Sequence, residues 1–174
     1  VFAKIMVGFG CEVIGYDKYP SAAFTALGAH YAEPGEIGAK ADIVSLHCPL
    51  TPETYHIINA ETLARAKRGC LLINTSRGGL VDTEAAIEAL KSGQLGGLAI
   101  DVYEQEADLF FRDLSSTIIA DDTFQRLLSF PNVIVTGHQA FFTEEAITTI
   151  CETTIASATE FESGQALSNE IKAS

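Results

Sequence analysis

Short runs rich in Val, Ile and Leu alternate along this chain with stretches whose apolar residues recur at helical spacing. The β-rich runs lie at residues 12–16, 43–47, 70–74, 97–102 and 133–136. They are mostly apolar rather than alternating, the pattern of parallel strands covered on both faces. Helices are predicted between them. Residues 21–27 follow Pro20 and end at Gly28, residues 60–67 follow Asn59 and end at Gly69, and residues 83–92 follow Asp82 and close at Gly93. Asn59 and Asp82 suit N-caps, and the glycines suit C-terminal stops. Thr143 caps a longer predicted helix over 144–161, with Ala146, Ile147, Ile150, Ile155 and Ala158 as its apolar face. Residues 1–9 read as the later turns of a helix with no N-cap, so Val1 is expected to be a break in a longer chain.

Strand and helix in repeated order predict an α/β fold on a doubly wound parallel sheet, with a C-terminal helical tail. In such sheets ligands bind beyond the carboxyl ends of the strands. The positions to search are therefore Asp17, residues 47–54, residues 75–79, residues 101–106 and residues 137–141. All five strand ends carry polar or conformationally special residues.

Composition narrows the chemistry. Of 174 residues, 47% are hydrophobic and 20% charged, the profile of one globular domain rather than a disordered segment. The net charge of -12, from 11 basic and 23 acidic residues, argues against nucleic acid as a partner. Arg65, Lys67 and Arg68 are the nearest thing to a basic cluster, and they complement a helix C-terminus. Cys11, Cys48, Cys70 and Cys151 are widely spaced, and the four histidines show no ligand spacing, so neither a disulfide framework nor a metal site is expected. No apolar run is long enough for a membrane span and no signal peptide is visible, so the cytoplasm is the expected compartment.

Five features carry candidate chemistry. Asp17 ends the first strand, where an acidic residue in a dinucleotide fold accepts hydrogen bonds from the adenosine ribose and disfavours a 2′-phosphate; a turn-forming Asp is the plain alternative. The Gly-rich phosphate loop expected about 20 residues before such an Asp is not in the chain, and Gly8 and Gly10 suit a helix C-cap instead. Arg77, in Asn74-Thr75-Ser76-Arg77-Gly78-Gly79, has the planar fork that clamps a carboxylate, unless it is a surface Arg in a turn. In Asp101-Val102-Tyr103-Glu104-Gln105-Glu106, one carboxylate could meet a nicotinamide carboxamide and another could orient an imidazole; an acidic loop of a very acidic protein explains Glu104 equally well. His138, between a buried strand and a helix start, is a structural histidine unless a carboxylate partners it, in which case its imidazolium is a good proton donor near neutral pH. Together, Arg77, a strand-end glutamate and His138 suit hydride transfer to a small 2-oxo acid with a nicotinamide cofactor.

The segments Asn74-Thr75-Ser76-Arg77-Gly78-Gly79-Leu80-Val81-Asp82, Asp101-Val102-Tyr103-Glu104-Gln105-Glu106 and Asn132-Val133-Ile134-Val135-Thr136-Gly137-His138 resemble the D-isomer-specific 2-hydroxyacid dehydrogenase family. The resemblance covers essentially the whole chain. It implies a Rossmann-type NAD-binding domain over 1–141, lacking its first strand and Gly-rich loop, and a tail over 142–174 belonging to a catalytic domain otherwise missing. It implies Arg77, Glu106 and His138 as the catalytic set, with Glu104 the lesser candidate. Cofactor contacts are implied at Asp17, Cys48, Pro49, Thr54, Thr75, Ser76, Arg77 and Asp101, although relatives often place Asn near Thr54. Leu109-Phe110-Phe111-Arg112-Asp113, Asp121-Asp122-Thr123-Phe124-Gln125-Arg126-Leu127 and Gly137-His138-Gln139-Ala140-Phe141 resemble the D-lactate dehydrogenase branch, while Glu106 speaks against the formate dehydrogenase branch. The implied reaction is reversible hydride transfer between NADH and pyruvate, by a homo-oligomer such as a dimer, with the fragment inactive alone. Reduction of hydroxypyruvate, glyoxylate or phenylpyruvate is the neighbouring alternative. A non-catalytic, corepressor-like dinucleotide-binding module is the alternative from another class.

Overall fold

The apolar runs form parallel strands, in a computed structural model that describes residues 1–110, 113 and 116–172. The chain divides into two units, Val1–Gly137 and His138–Ser174. The first unit runs α1 (Phe2–Gly8), β1 (Ile14–Gly15), α2 (Ala22–Thr25), β2 (His30–Tyr31), α3 (Pro34–Lys40), β3 (Ile43–Leu46), α4 (Ala60–Arg65), β4 (Cys70–Asn74), α5 (Thr83–Lys91), β5 (Leu95–Ile100), α6 (Asp122–Leu128) and β6 (Val133–Val135). Strands β1 and β2 pair in a small sheet of their own; β3, β4, β5 and β6 lie side by side in that order in a four-stranded sheet. Every pairing is parallel. The chain is thus a parallel α/β fold of the Rossmann type.

Local chemistry sets the helix ends. The Asn59 side chain accepts the N–H groups of Glu61 and Thr62 while the Thr62 hydroxyl accepts the Asn59 N–H, a reciprocal cap on α4. Asp82 caps α5 through the Ala85 N–H at 3.0 Å. The core lies on one face of the larger sheet. Leu46, Leu72, Leu98 and Ile100 pack there with Leu63 of α4, Ala86, Ile87 and Leu90 of α5, and Phe124 and Leu127 of α6. The pleat sends Ile43, Leu71 and Ile134 to the opposite face, where they are 44%, 42% and 66% exposed. The apolar pattern predicts cover on both faces, and on this one it is incomplete.

Three elements escape the sequence pattern: β2 is only two residues long, α3 starts at Pro34 without a side-chain cap, and α6, capped by Asp121, comes long after the end of β5. The fourth apolar run is also displaced, beginning at Leu95 rather than at 97. Gly96 hides it, because a β-carbon there would stand 2.3 Å from the Gly69 carbonyl oxygen. Val102 and Tyr103 lie beyond the strand but are 1% and 4% exposed.

In the second unit, Thr143 caps α7 (Glu144–Glu162) through the Ala146 N–H at 3.2 Å. No residue of this helix is buried. Its tail is tied back by Glu160, whose carboxylate accepts the Ser168 N–H at 2.8 Å and hydroxyl at 2.7 Å.

Candidate active site

The loop after β4 is shaped by an asparagine that the solvent does not reach. Asn74 is 1% exposed. Its Nδ2 donates to the Arg77 carbonyl at 2.8 Å and its Oδ1 accepts the Ser76 N–H at 3.1 Å, so one buried amide closes the turn that presents Arg77. The Ser76 hydroxyl donates to the Cys48 carbonyl at 2.6 Å and ties this turn to the loop after β3. Thr75 and Arg77 are left exposed, and the Arg77 Nη1 donates to the Ser76 carbonyl at 2.6 Å.

The loops after β4 and β5 touch at a glycine. A β-carbon on Gly78 would stand 2.1 Å from the Tyr103 carbonyl carbon and 2.5 Å from the Glu104 nitrogen, so only glycine lets the two backbones meet. Beyond that contact, the Glu106 Oε2 accepts the Tyr103 N–H at 3.0 Å, which folds the carboxylate back over its own turn. The Tyr103 hydroxyl donates to Asp121 Oδ2 at 2.8 Å. Burial, together with the Asp121 carboxylate, pushes the Tyr103 phenol well above its ordinary range. Asp101 is half-buried, its carboxylate accepts the Thr136 hydroxyl, and its N–H donates to the Asn74 carbonyl at 3.0 Å.

Asp17 stands just beyond β1, exposed, with Oδ1 accepting the Tyr19 N–H at 2.8 Å. Cys48 is half-buried, and burial pushes its thiol up, which keeps it protonated and non-nucleophilic near neutral pH. The Thr54 hydroxyl donates to the Pro49 carbonyl at 2.7 Å and accepts the Thr51 N–H at 2.8 Å, so this side chain builds the loop after β3. His138 opens the second unit, half-buried, with a left-handed φ of 53° that glycine usually supplies.

Glu104 differs from the acidic-loop reading. Its Oε1 lies 2.7 Å from the Nε2 of His56, and its Oε2 accepts the Thr83 hydroxyl at 2.6 Å. His56 has no metal-ligand or nucleophile motif around it and was invisible by sequence spacing; its φ of 49° shows only in the structure.

The loops beyond the strands thus carry an exposed guanidinium at Arg77 and the carboxylates of Asp17, Asp101, Glu104 and Glu106. The sequence and the fold have known counterparts. Residues 1–140 match the family model described as D-isomer specific 2-hydroxyacid dehydrogenase, NAD binding domain. The chain belongs to this family. Among relatives of this dehydrogenase family, 2-hydroxyacid dehydrogenase homolog 2 of Schizosaccharomyces pombe is 54% identical over 155 residues, 89% of this chain and 47% of that protein. The D-lactate dehydrogenase of Escherichia coli is 48% identical over 168 residues, 97% of this chain and 51% of that protein. Among solved structures, that of the pyruvate reductase of Chlamydomonas reinhardtii matches with a TM-score of 0.89 and 46% identity, over 96% of this chain and 51% of that one. The chain thus spans about half the length of the curated relatives it matches.

NAD is the cofactor of this domain in the dehydrogenase family. The donor set fits it: an exposed carboxylate at Asp17 suits a ribose diol, the exposed Thr75 hydroxyl can donate, and Asp101 offers an acceptor at a strand end. The branch segment at 109–113 includes Phe111 and Arg112, which lie outside the described residues. No helix among the described residues is long and apolar enough to cross a membrane.

Proposed function

We propose that the polypeptide carrying this chain is an NAD-dependent D-lactate dehydrogenase, which interconverts pyruvate and D-lactate in the cytoplasm as a homo-oligomer. The observation that carries this reading is the meeting of the Arg77 and Glu106 loops at Gly78, in a family domain with relatives named D-lactate dehydrogenase and pyruvate reductase. Arg77 grips the substrate carboxylate with two parallel hydrogen bonds and polarises the adjacent carbonyl. Glu106 orients His138 and supports its imidazolium, and His138 delivers a proton to the carbonyl oxygen. The cofactor, when bound, supplies the hydride that adds to the carbonyl carbon. Asp17 holds the adenosine ribose, Asp101 faces the carboxamide, and Cys48, Pro49, Thr54, Thr75 and Ser76 line the path between. Here Thr54 and Ser76 act mainly through the loop shapes they set.

The test is pyruvate-dependent NADH oxidation by the full-length polypeptide, with the isomer of the lactate product determined. His138→Gln should lower kcat by roughly 100-fold or more while NADH still binds. A faster rate on hydroxypyruvate, glyoxylate or phenylpyruvate would move the protein to another branch. Retained turnover in His138→Gln would remove the proton donor from the mechanism.

A further inference from the structure

A side-chain pair outside the proposed chemistry joins three of the loops that carry it. His56 and Glu104 are 48 residues apart in sequence, yet their Nε2 and Oε1 lie 2.7 Å apart and their side chains are 28% and 26% exposed. Segment 56–58 runs beside segment 79–82 as a short ladder. The His56 N–H donates to the Gly79 carbonyl at 2.9 Å, the Ile58 N–H to the Leu80 carbonyl at 3.0 Å, and the Asp82 N–H to the Ile58 carbonyl at 2.9 Å. Glu104 grips both sides of that ladder: Oε1 meets His56 on one side, while Oε2 accepts the hydroxyl of Thr83 at 2.6 Å and its N–H at 3.2 Å on the other.

His56 is held through its ring, its N–H and its carbonyl. Its ring stacks on Tyr55 with centroids 3.9 Å apart, and its carbonyl accepts the Asn59 Nδ2 at 2.9 Å. Its left-handed φ of 49° is a conformation that a non-glycine residue keeps only where its surroundings over-determine it. Gly79 is two residues from Arg77, and Glu104 is two residues from Glu106. We infer that the His56–Glu104 pair is a positioning device, which fixes the Arg77 loop against the Glu106 loop and so sets the geometry of substrate clamping. This inference rests on the dehydrogenase reading for its kinetic consequences, though not for its structural ones.

Two measurements on the full-length protein test it: steady-state kinetics and amide hydrogen exchange, with His56→Ala, Glu104→Ala, the double variant and Glu104→Gln. Each alanine variant should raise KM for pyruvate or lower kcat, giving a fall in kcat/KM of roughly tenfold or more, with the NADH Kd held within about twofold. The double variant should be no worse than the poorer single one, because both remove the same clamp. Glu104→Gln, which can still bond both partners, should recover most of the loss and covers the case in which an alanine variant fails to fold. Exchange should quicken in both segments, 76–80 and 103–106, in each alanine variant. A lowered Tm with unchanged KM and kcat, or multiplicative losses in the double variant, would make the pair a simple scaffold contact. If the wild type reduces no 2-oxo acid, the dehydrogenase reading fails and exchange alone decides the pair: quickening in both segments supports it, and unchanged exchange overturns it.

Discussion

At the carboxyl end of β4, a buried asparagine, a serine tied to the neighbouring loop and a glycine pressed against Tyr103 hold the Arg77 turn from three sides. At the carboxyl end of β1, Asp17 is exposed and turned by a hydrogen bond to the Tyr19 N–H, in a sheet whose two strands pair over only two residues each. The first region borders the hydrophobic core through Leu72, Leu80 and Tyr103, whereas no residue of β1 belongs to it. The difference matches the work proposed for each. A carboxylate clamp must keep its place to within a fraction of an ångström, since small misplacements of reacting groups are costly in rate. A ribose diol can be met by a carboxylate with some latitude, so a loosely framed acid suffices there. Changes at the β4 end should therefore register in both stability and turnover, and changes at the β1 end in cofactor use alone.

The most severe way to break the comparison is Gly78→Ala. Its β-carbon would meet backbone on the Tyr103 side, which cannot rotate away as a side chain can. The expected cost is about 3 kcal/mol, or a Tm lower by roughly 6–12 °C for a chain of this size. Pyruvate reduction by the full-length protein should fall with it, even at temperatures where the variant stays folded. Thermal unfolding and steady-state kinetics on one preparation check both. A variant with wild-type Tm would mean that the two loops can separate freely, and the rigid half of the comparison would collapse.

Asp17→Ala should act on the other half. An exposed side chain away from the core contributes within about 0.5 kcal/mol to stability, so Tm should hardly move. The KM for NADH should rise roughly tenfold, the equivalent of about 1.4 kcal/mol. Discrimination against NADPH should weaken, because the charge that repels a 2′-phosphate is gone. Kinetics with both cofactors decide it. An unchanged NADH KM would return Asp17 to the role of a turn residue.

The same contrast explains what could be read from the sequence. The Cys70–Asn74 strand stands where its apolar run predicts, because a fully apolar run ended by a polar loop has few other ways to fold. The caps at Asn59, Asp82 and Thr143 were legible for a similar reason: an N-cap is a local bargain between one side chain and a nearby N–H. Arg77 and Glu106 could be placed at strand ends, but the contact that joins their loops depends on Gly78 meeting Tyr103 across 25 residues, which no local pattern announces. His56 and Glu104 were still less visible. Nothing about a histidine after Tyr55 distinguishes it from a surface residue until a glutamate 48 positions later lies against it. The start of the strand at Leu95–Ile100 was blurred by Gly96, which looks like a turn residue and is in fact required by a close backbone approach to Gly69.

The gentlest test lies on the rigid side, at Tyr103→Phe. The phenol donates one hydrogen bond to Asp121, and Asp121 keeps its second role of capping α6 through the Phe124 N–H at 2.8 Å. Losing that bond should cost about 1 kcal/mol at neutral pH, a Tm lower by roughly 2–4 °C. The pH dependence carries more information. Burial and the Asp121 carboxylate raise the folded phenol well above its ordinary value of 10.0, so the folded state holds this proton more tightly than the unfolded state does. The stability it contributes is present below about pH 10 and is lost as pH rises beyond that, where the unfolded chain ionises and the folded one resists. The Tm gap between wild type and Tyr103→Phe should therefore narrow above pH 10 and stay constant between pH 7 and 9. A gap that persists unchanged into strong alkali would show that Tyr103 ionises as easily folded as unfolded, and that the rigid end of the sheet is wetter than its packing implies.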